Sequence, residues 1–241
     1  MKLDILAIGV HPDDVELACS GTLLQHIANG KKVGLLDLTR GERGTRGSAE
    51  LRDIEAANSA MKMGALVREN LCMEDCFFEH TPENIRKIVA IIRQYQPEIV
   101  LTNSIDDRHP DHGRAAKLTA DACFYSGLAK IETLDANGKP QERWRPKAVY
   151  HYIQDFYLEP DFVTNITPFW AKKIELIKTF RSQFFDANVS TGELNTPISG
   201  EDFWHYIEGR ARDFGRPAGF EYAEGFIAAR RIGVDNLFDL T

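Results

Sequence analysis

Two tetrapeptides constrain this chain more than anything else in it. His11-Pro12-Asp13-Asp14 and His109-Pro110-Asp111-His112 each follow an apolar run and precede a segment with helical periodicity. The run before the first, Ile5-Leu6-Ala7-Ile8-Gly9-Val10, reads as a buried parallel strand. The run before the second, Ile99-Val100-Leu101-Thr102-Asn103, reads the same way. A strand, a polar cluster and then a helix, met twice, is the signature of an open α/β sheet. Such folds place their sites at the carboxyl ends of the strands.

The rest of the chain fits that frame. Lys32–Leu38, Leu66–Cys72 and Ala148–Ile153 read as further strands, and a helix is expected from Val15 to Ala28, closed by Gly30. A second helix is expected from Ser48 or Ala49 to Met63, with Leu51, Ile54, Ala57, Ala60 and Met61 facing inward. Thr81-Pro82 starts a third, with Ile85, Ile88, Val89 and Ile92 at helical spacing, and Pro110 opens a fourth that runs to about Ser126. Beyond it, Phe162–Ile166 reads as a strand and Thr167-Pro168 as the start of a helix to about Phe180. Residues 182–198 read as loop, Ser199 as the cap of a helix to Gly215, and Tyr222–Ala229 as a last strand. No repeat or linker interrupts the 241 residues, so 1–241 reads as one domain.

Composition removes several classes of function. A net charge of −7 argues against nucleic acid or an anionic membrane as the main partner. No apolar run nears the roughly 20 residues of a spanning helix. The N-terminus reads as a first strand rather than a signal peptide. Cys19, Cys72, Cys76 and Cys123 form no C-x-x-C pair, so they read as thiols in a reducing, cytoplasmic setting.

The clusters carry the chemistry. His11, Asp14 and His112 make a set of two imidazoles and one carboxylate. That set suits a divalent ion, zinc by default, and iron(II) fits as well. A bound ion lowers the pKa of its water toward ~7. Asp13, beside a ligand, is the natural general base for that water. His109 lies three residues before His112, so both reach the same side of the first helical turn. It is placed to protonate a leaving amine or stabilise an oxyanion, with Asp111 orienting it and favouring its imidazolium form. The reaction class is metal-assisted hydrolysis of an amide or ester. A single His-Pro-Asp-Asp is also a plausible capped helix start, but two such clusters, each directly after a strand, are hard to obtain that way. Between them, the loop TRGERGTRGS (Thr39–Ser48) is too polar to be buried. Arg52, on the turn that follows it, could clamp a carboxylate or the acetyl product. His26, His80 and His151 have no partner pattern, and His205 is a weak supporting candidate.

These residues are also where the chain resembles a known family. The first HPDD, the TRGERGTRG loop, the LRDIEA helix and the HPDH motif together resemble the LmbE-like (PIG-L) family of zinc-dependent N-acetylglucosamine deacetylases. The C-terminal run Tyr222-Ala223-Glu224-Gly225-Phe226 and the residues after it look like the branch acting in bacillithiol biosynthesis. The resemblance implies an α/β, Rossmann-like three-layer fold with a mostly parallel sheet and a smaller C-terminal strand/helix region. It implies one zinc ion, release of acetate from the amine of a GlcNAc conjugate, most specifically N-acetyl-alpha-D-glucosaminyl L-malate, and assembly into a homo-oligomer. By motif, His11, Asp14 and His112 match metal ligands, Asp13 the general base, His109 the acid or oxyanion group and Asp111 its partner. Arg52 and Glu42 match positions associated with substrate. Some relatives carry a tyrosine just before the second histidine motif. Here those positions are Asp107 and Arg108, and Arg108 is a candidate for a substrate carboxylate.

Two rival readings stand beside this one. The same site could serve another GlcNAc or thiol conjugate, because the clusters carry chemistry rather than specificity. A non-catalytic sugar- or nucleotide-binding protein is the second rival. Its phosphate-cradling G-x-G-x-x-G is missing, since the first strand ends in GVHPDD.

Overall fold

Strand β1 (Ile5–Gly9) lies in the middle of one seven-stranded sheet, and its five residues are all buried. The computed structural model describes residues 1–184 and 194–240. On one side β1 pairs in parallel with β2 (Val33–Thr39), which pairs with β3 (Val67–Met73). On the other side it pairs in parallel with β4 (Ile99–Thr102), in the register Ile5↔Ile99 and Ala7↔Leu101. β5 (Ala148–Tyr152) continues the parallel set. The C-terminal strands reverse it: β7 (Ala223–Ala228) runs antiparallel between β5 and β6 (Phe162–Asn165). The spatial order is therefore β3-β2-β1-β4-β5-β7-β6. This is the expected α/β fold, mostly parallel with a smaller C-terminal region.

Side chains alternate across β1 and β2, and the two faces of the sheet take separate cores. Leu6, Ile8, Leu36 and Leu38 pack with Ile88 and Ile92 of α3 (Pro82–Tyr95) and with Leu118 of α4 (Pro110–Tyr125). Ile5, Ala7, Val33 and Leu35 pack with Val15 and Leu23 of α1 (Asp14–Ala28) and Leu176 of α5 (Trp170–Ile177). That makes three layers. The chain winds outward through β2 and β3, then crosses back to β4. The order reverses between β1 and β4, and a crevice opens there at the strands' carboxyl ends.

Helix α2 (Ala49–Met63) begins and ends as its sequence predicts: Ser48 accepts the Leu51 N–H, and Gly64 closes it at φ +88°. Its inner face does not. Leu51, Ile54, Ala57 and Met61 are exposed, while Arg52, Glu55, Ala56, Ser59, Ala60 and Met63 are buried. Polar partners turn this helix. Glu55 accepts from the Ser182 backbone at 2.8 Å and from its hydroxyl at 2.6 Å, and Ser59 donates to Glu16 at 2.6 Å.

The C-terminal region differs from expectation in its helix ends. Thr167–Phe169 is a 3-10 turn, α5 stops at Ile177, and α6 (Asp202–Gly215) starts three residues beyond Ser199. The Ser199 hydroxyl instead engages Thr196. Of the expected 182–198 loop, 185–193 lies outside the described residues. A buried ion pair ties this region to α1: Lys173 Nζ meets Glu224 at 2.7 Å, and Glu224 also accepts the Gly21 and Thr22 N–H groups. Removing one partner of such a pair costs about 3–5 kcal/mol, because the other charge stays buried.

Candidate metal centre

β1 and β4 end side by side, so the two His-Pro-Asp clusters meet. Asn103, just past β4, stitches them together. Its Oδ1 accepts the Val10 N–H at 3.0 Å and its Nδ2 donates to Asp14 Oδ2 at 2.9 Å. The His11, His109 and His112 rings then lie 4.7–5.6 Å apart, centroid to centroid.

Asp14 is the carboxylate that faces both outer imidazoles. Its Oδ1 is 3.2 Å from His112 Nε2, and its Oδ2 is 3.7 Å from His11 Nδ1. The same Oδ2 accepts the His11 backbone N–H at 2.9 Å, and Oδ1 accepts Gln154 Nε2 at 2.8 Å. Each imidazole is held from behind by another carboxylate. His11 Nε2 lies 3.1 Å from Asp75 Oδ1, and His112 Nδ1 lies 2.5 Å from Asp107 Oδ2. An imidazole with one nitrogen free for a cation and the other on a carboxylate is the usual arrangement of a metal-ligating histidine. The residues present therefore fit a divalent ion. Ligand atoms of His11, His109 and His112 lie within 4.8 Å of one another, as do those of His11, Asp75 and Asp111. Asp75 and Asp111 are, however, also engaged by backbone: Arg43 N–H donates to Asp75 and Cys76 N–H to Asp111.

The charges match this geometry. Burial alone would lower the pKa of His11, but hydrogen bonds to Asp111 and Asp75 and the charge of Asp14 lift it to about 10. His112 rises to about 9 against its burial, through Asp14 and Asp107. Burial pushes the Asp13 carboxyl up to about 7, although the Arg52 charge pulls it down. Asp13 is 5% exposed, and among the described residues its carboxylate has no hydrogen-bond partner. It occupies the position before α1 without capping it, at φ +146°, a backbone region that non-glycine residues rarely adopt. Strain of this kind, about 1–3 kcal/mol, collects at functional sites.

A cavity of about 260 Å³ opens over these groups. Arg52 is buried in its wall and donates to Gln183. The loop glycines explain how it fits, because a Cβ on Gly41 or Gly44 would collide with its guanidinium. Gln154, Asp155, Phe203, Tyr206 and Arg210 close the cavity from the C-terminal region.

The chain has known relatives. The family model described as PIG-L: GlcNAc-PI de-N-acetylase matches residues 6–123, from β1 through most of α4. Over 131 residues, 49% of this chain and 67% of the relative, the chain is 32% identical to the uncharacterized deacetylase YaiS of Escherichia coli (strain K12). Its fold matches the conserved protein TT1542 from Thermus thermophilus with a TM-score of 0.83. That match has 31% identity and covers 97% of this chain and 98% of that one. The N,N'-diacetylchitobiose deacetylase from Pyrococcus horikoshii aligns at a TM-score of 0.77 with 24% identity, over 93% and 82% of the two chains. The chain belongs to the PIG-L family.

Within this PIG-L chain, the structure gathers most of the expected residues in one cavity and sets two apart. His11, Asp13, Asp14, His109, His112, Arg52 and Arg108 all line the cavity. Glu42 does not: it is exposed, and its carboxylate accepts the Asp75 N–H at 2.8 Å, bracing the residue behind His11. Asp111 does not orient the His109 ring. Its carboxylate turns toward Cys76, Arg114 and His11, because the first turn of α4 carries it to the other side. Burial and the neighbouring histidine charges lower the pKa of His109, so it is held toward its neutral form rather than as imidazolium. His109 also caps α4 by accepting the Asp111 N–H at its Nδ1, 3.3 Å away. Arg108 is paired with Asp155.

Four supporting residues were not singled out from the PIG-L sequence: Asp75, Asn103, Asp107 in its role behind His112, and Gln154. Asp107 could have been found, since it is five residues before His112 at the same strand-to-helix junction. Asp75 had no such signal, because a loop after β3 brings it in. His151 Nδ1 donates to the Asn103 carbonyl, 2.9 Å away, and so backs the site indirectly. His205 is exposed and lies off the cavity wall. No described helix is long and apolar enough to cross a membrane.

Proposed function

We propose that this chain is a metal-dependent deacetylase that hydrolyses the N-acetyl amide of a GlcNAc-type sugar, with zinc as the ion. The observation that carries the reading is the Asp14 carboxylate set between two imidazoles, 3.2 Å from His112 Nε2 and 3.7 Å from His11 Nδ1, with Asp75 and Asp107 behind them. In this reading those three residues hold the ion, which when bound acidifies a water and polarises the acetamido carbonyl. Family membership, and the deacetylase among its relatives, support the reaction class.

The protein's own groups do the rest. Asp13 takes the proton of the attacking water at its carboxylate, which has no hydrogen-bond partner among the described residues. His109 steadies the developing oxyanion with its ring N–H, and the proton taken up by Asp13 passes to the amine nitrogen as the C–N bond breaks. Asn103 and Gln154 hold the Asp14 carboxylate in place by hydrogen bonds. Arg52 orients the substrate from the wall beside Asp13. Asp111 positions His11 and the Cys76 backbone rather than His109.

For the substrate we propose N-acetyl-alpha-D-glucosaminyl L-malate, on the resemblance of the C-terminal residues to the bacillithiol branch. The test is acetate release from that compound and from free GlcNAc by zinc-loaded protein, with Asp13→Asn as control. Faster release from the malate conjugate supports the assignment. Equal release from both removes the malate assignment and leaves the deacetylase. No release from either, by metal-loaded protein, overturns the deacetylase reading.

A further inference from the structure

The cavity holds four arginines, and their surroundings differ. Arg43 pairs with Glu74 at 2.5 Å, and Arg108 pairs with Asp155. Arg52 is enclosed behind the loop glycines against Gln183. Arg210 forms no ion pair among the described residues. Of its five N–H donors, one is satisfied among the described residues, by the Leu17 carbonyl at 3.2 Å. Asp107, Asp155 and Glu224 contribute to its electrostatic surroundings without touching it. Arg210 is half-buried, and its guanidinium carbon lies over the Tyr206 ring, 5.5 Å from the ring centre.

Its helix gives this arginine a context. Phe203, Tyr206 and Arg210 fall at i, i+3 and i+7 of α6, so they share one face of the helix, and all three line the cavity. The Phe203 and Tyr206 rings stack at 6.0 Å with 19° between their planes. Phe203 stacks on both Phe184 and Tyr206, and Tyr206 carries the guanidinium, so the rings brace the arginine. Its planar fork, without an ion pair among the described residues, is suited to take a carboxylate through two parallel bonds. The face lies outside residues 6–123, the span that carries the metal-site motifs. Catalysis and selectivity are thus drawn from different parts of the chain.

We propose that Arg210 is the specificity-determining residue of this site, binding a carboxylate on the substituent attached to the sugar, with Tyr206 and Phe203 forming the floor beneath it. This rests on the deacetylase reading for the location of the sugar, but not for its own test. Arg108 is the weaker candidate for that carboxylate, because Asp155 already occupies its guanidinium.

The experiment is calorimetric binding of two probes, N-acetylglucosaminyl malate and methyl N-acetylglucosaminide, to the zinc-loaded protein, to Arg210→Gln and to Arg210→Lys. Acetate release is followed in parallel. The wild-type protein is expected to prefer the malate conjugate, and Arg210→Gln to reduce that preference about tenfold or more, since a bond to a charged group is lost. Arg210→Lys keeps the charge but loses the fork, so an intermediate preference is expected. In turnover the loss should fall on KM rather than kcat. Equal weakening of both probes would mean that Arg210 only supports the wall, and an unchanged preference would mean that the acid is read elsewhere; either overturns the proposal. If Arg210→Gln fails to fold, Arg210→Lys decides by the same ratio. If wild-type protein releases no acetate from either compound, the deacetylase reading falls, while the binding ratio still decides the role of Arg210.

Discussion

At the β1–α1 junction Asp13 occupies the position before the helix, at φ +146°, and its side chain makes no capping bond. At the β4–α4 junction the equivalent position belongs to His109, with ordinary extended backbone and a ring nitrogen that caps the helix. Both junctions spell His-Pro-Asp, yet the second helix starts two residues earlier relative to the motif. Pro110 is the first residue of α4, whereas Pro12 precedes α1 altogether. The difference lies in the Asp14 carboxylate. It accepts the His11 N–H and closes a tight turn, and that turn forces Asp13 into a strained conformation with its carboxylate free. One motif thus stores strain to keep a base out of the helix cap, and the other uses a helix cap to seat a histidine.

The comparison can be broken most sharply at the ligands. His112→Ala is expected to lose the bound ion and all measurable acetate release, whereas Asp13→Asn keeps the ion and loses about 10²–10⁴ in kcat. Elemental analysis beside turnover separates the two. Loss of metal from Asp13→Asn would make Asp13 a ligand and merge the two roles. Next comes His109→Gln, expected to retain metal and lose about 10²-fold in kcat. If the rate is intact and only the melting temperature falls, His109 is a cap and nothing more.

The carboxylates behind the imidazoles sharpen the comparison further. Asp107→Asn and Asp75→Asn are each expected to weaken metal binding about 10–100-fold, measured by competition with a chelator. If Asp75→Asn removed the ion outright, the centre would be the His11, Asp75 and Asp111 set instead. The smallest effect belongs to the strain itself. Asp13→Gly should unfold at higher temperature than Asp13→Ala, with a gain of about 1 kcal/mol, because only glycine accepts that backbone without cost. Equal melting temperatures would show that the turn carries no strain.

How much of this was legible beforehand differs between elements. β1, α1, β4 and α4 could be read closely, because each combines an apolar run with a punctuating residue such as Gly30 or Pro110. The inward face of α2 could not. Its apolar residues suggest one stripe, but Glu55, Ser59 and Arg52 have partners on Ser182, Glu16 and Gln183 that no local pattern announces. The start of α6 was misplaced for a related reason: Ser199 looks like a cap but spends its hydroxyl on Thr196.

The centre divides in the same way. Residue types and spacing along the chain determined His11, Asp13, Asp14, His109 and His112, because strand-to-helix junctions concentrate chemistry at positions a few residues apart. Only the tertiary structure decided what stands behind them. Asp75 arrives from the loop after β3, Gln154 from beyond β5 and Arg210 from α6, each from a segment whose own sequence gives no sign of where it will lie. Hydrophobic periodicity is a local property and reports the element. The pairing of β1 with β4, and the crevice that pairing creates, is a property of the whole sheet, and it selects which distant side chains meet.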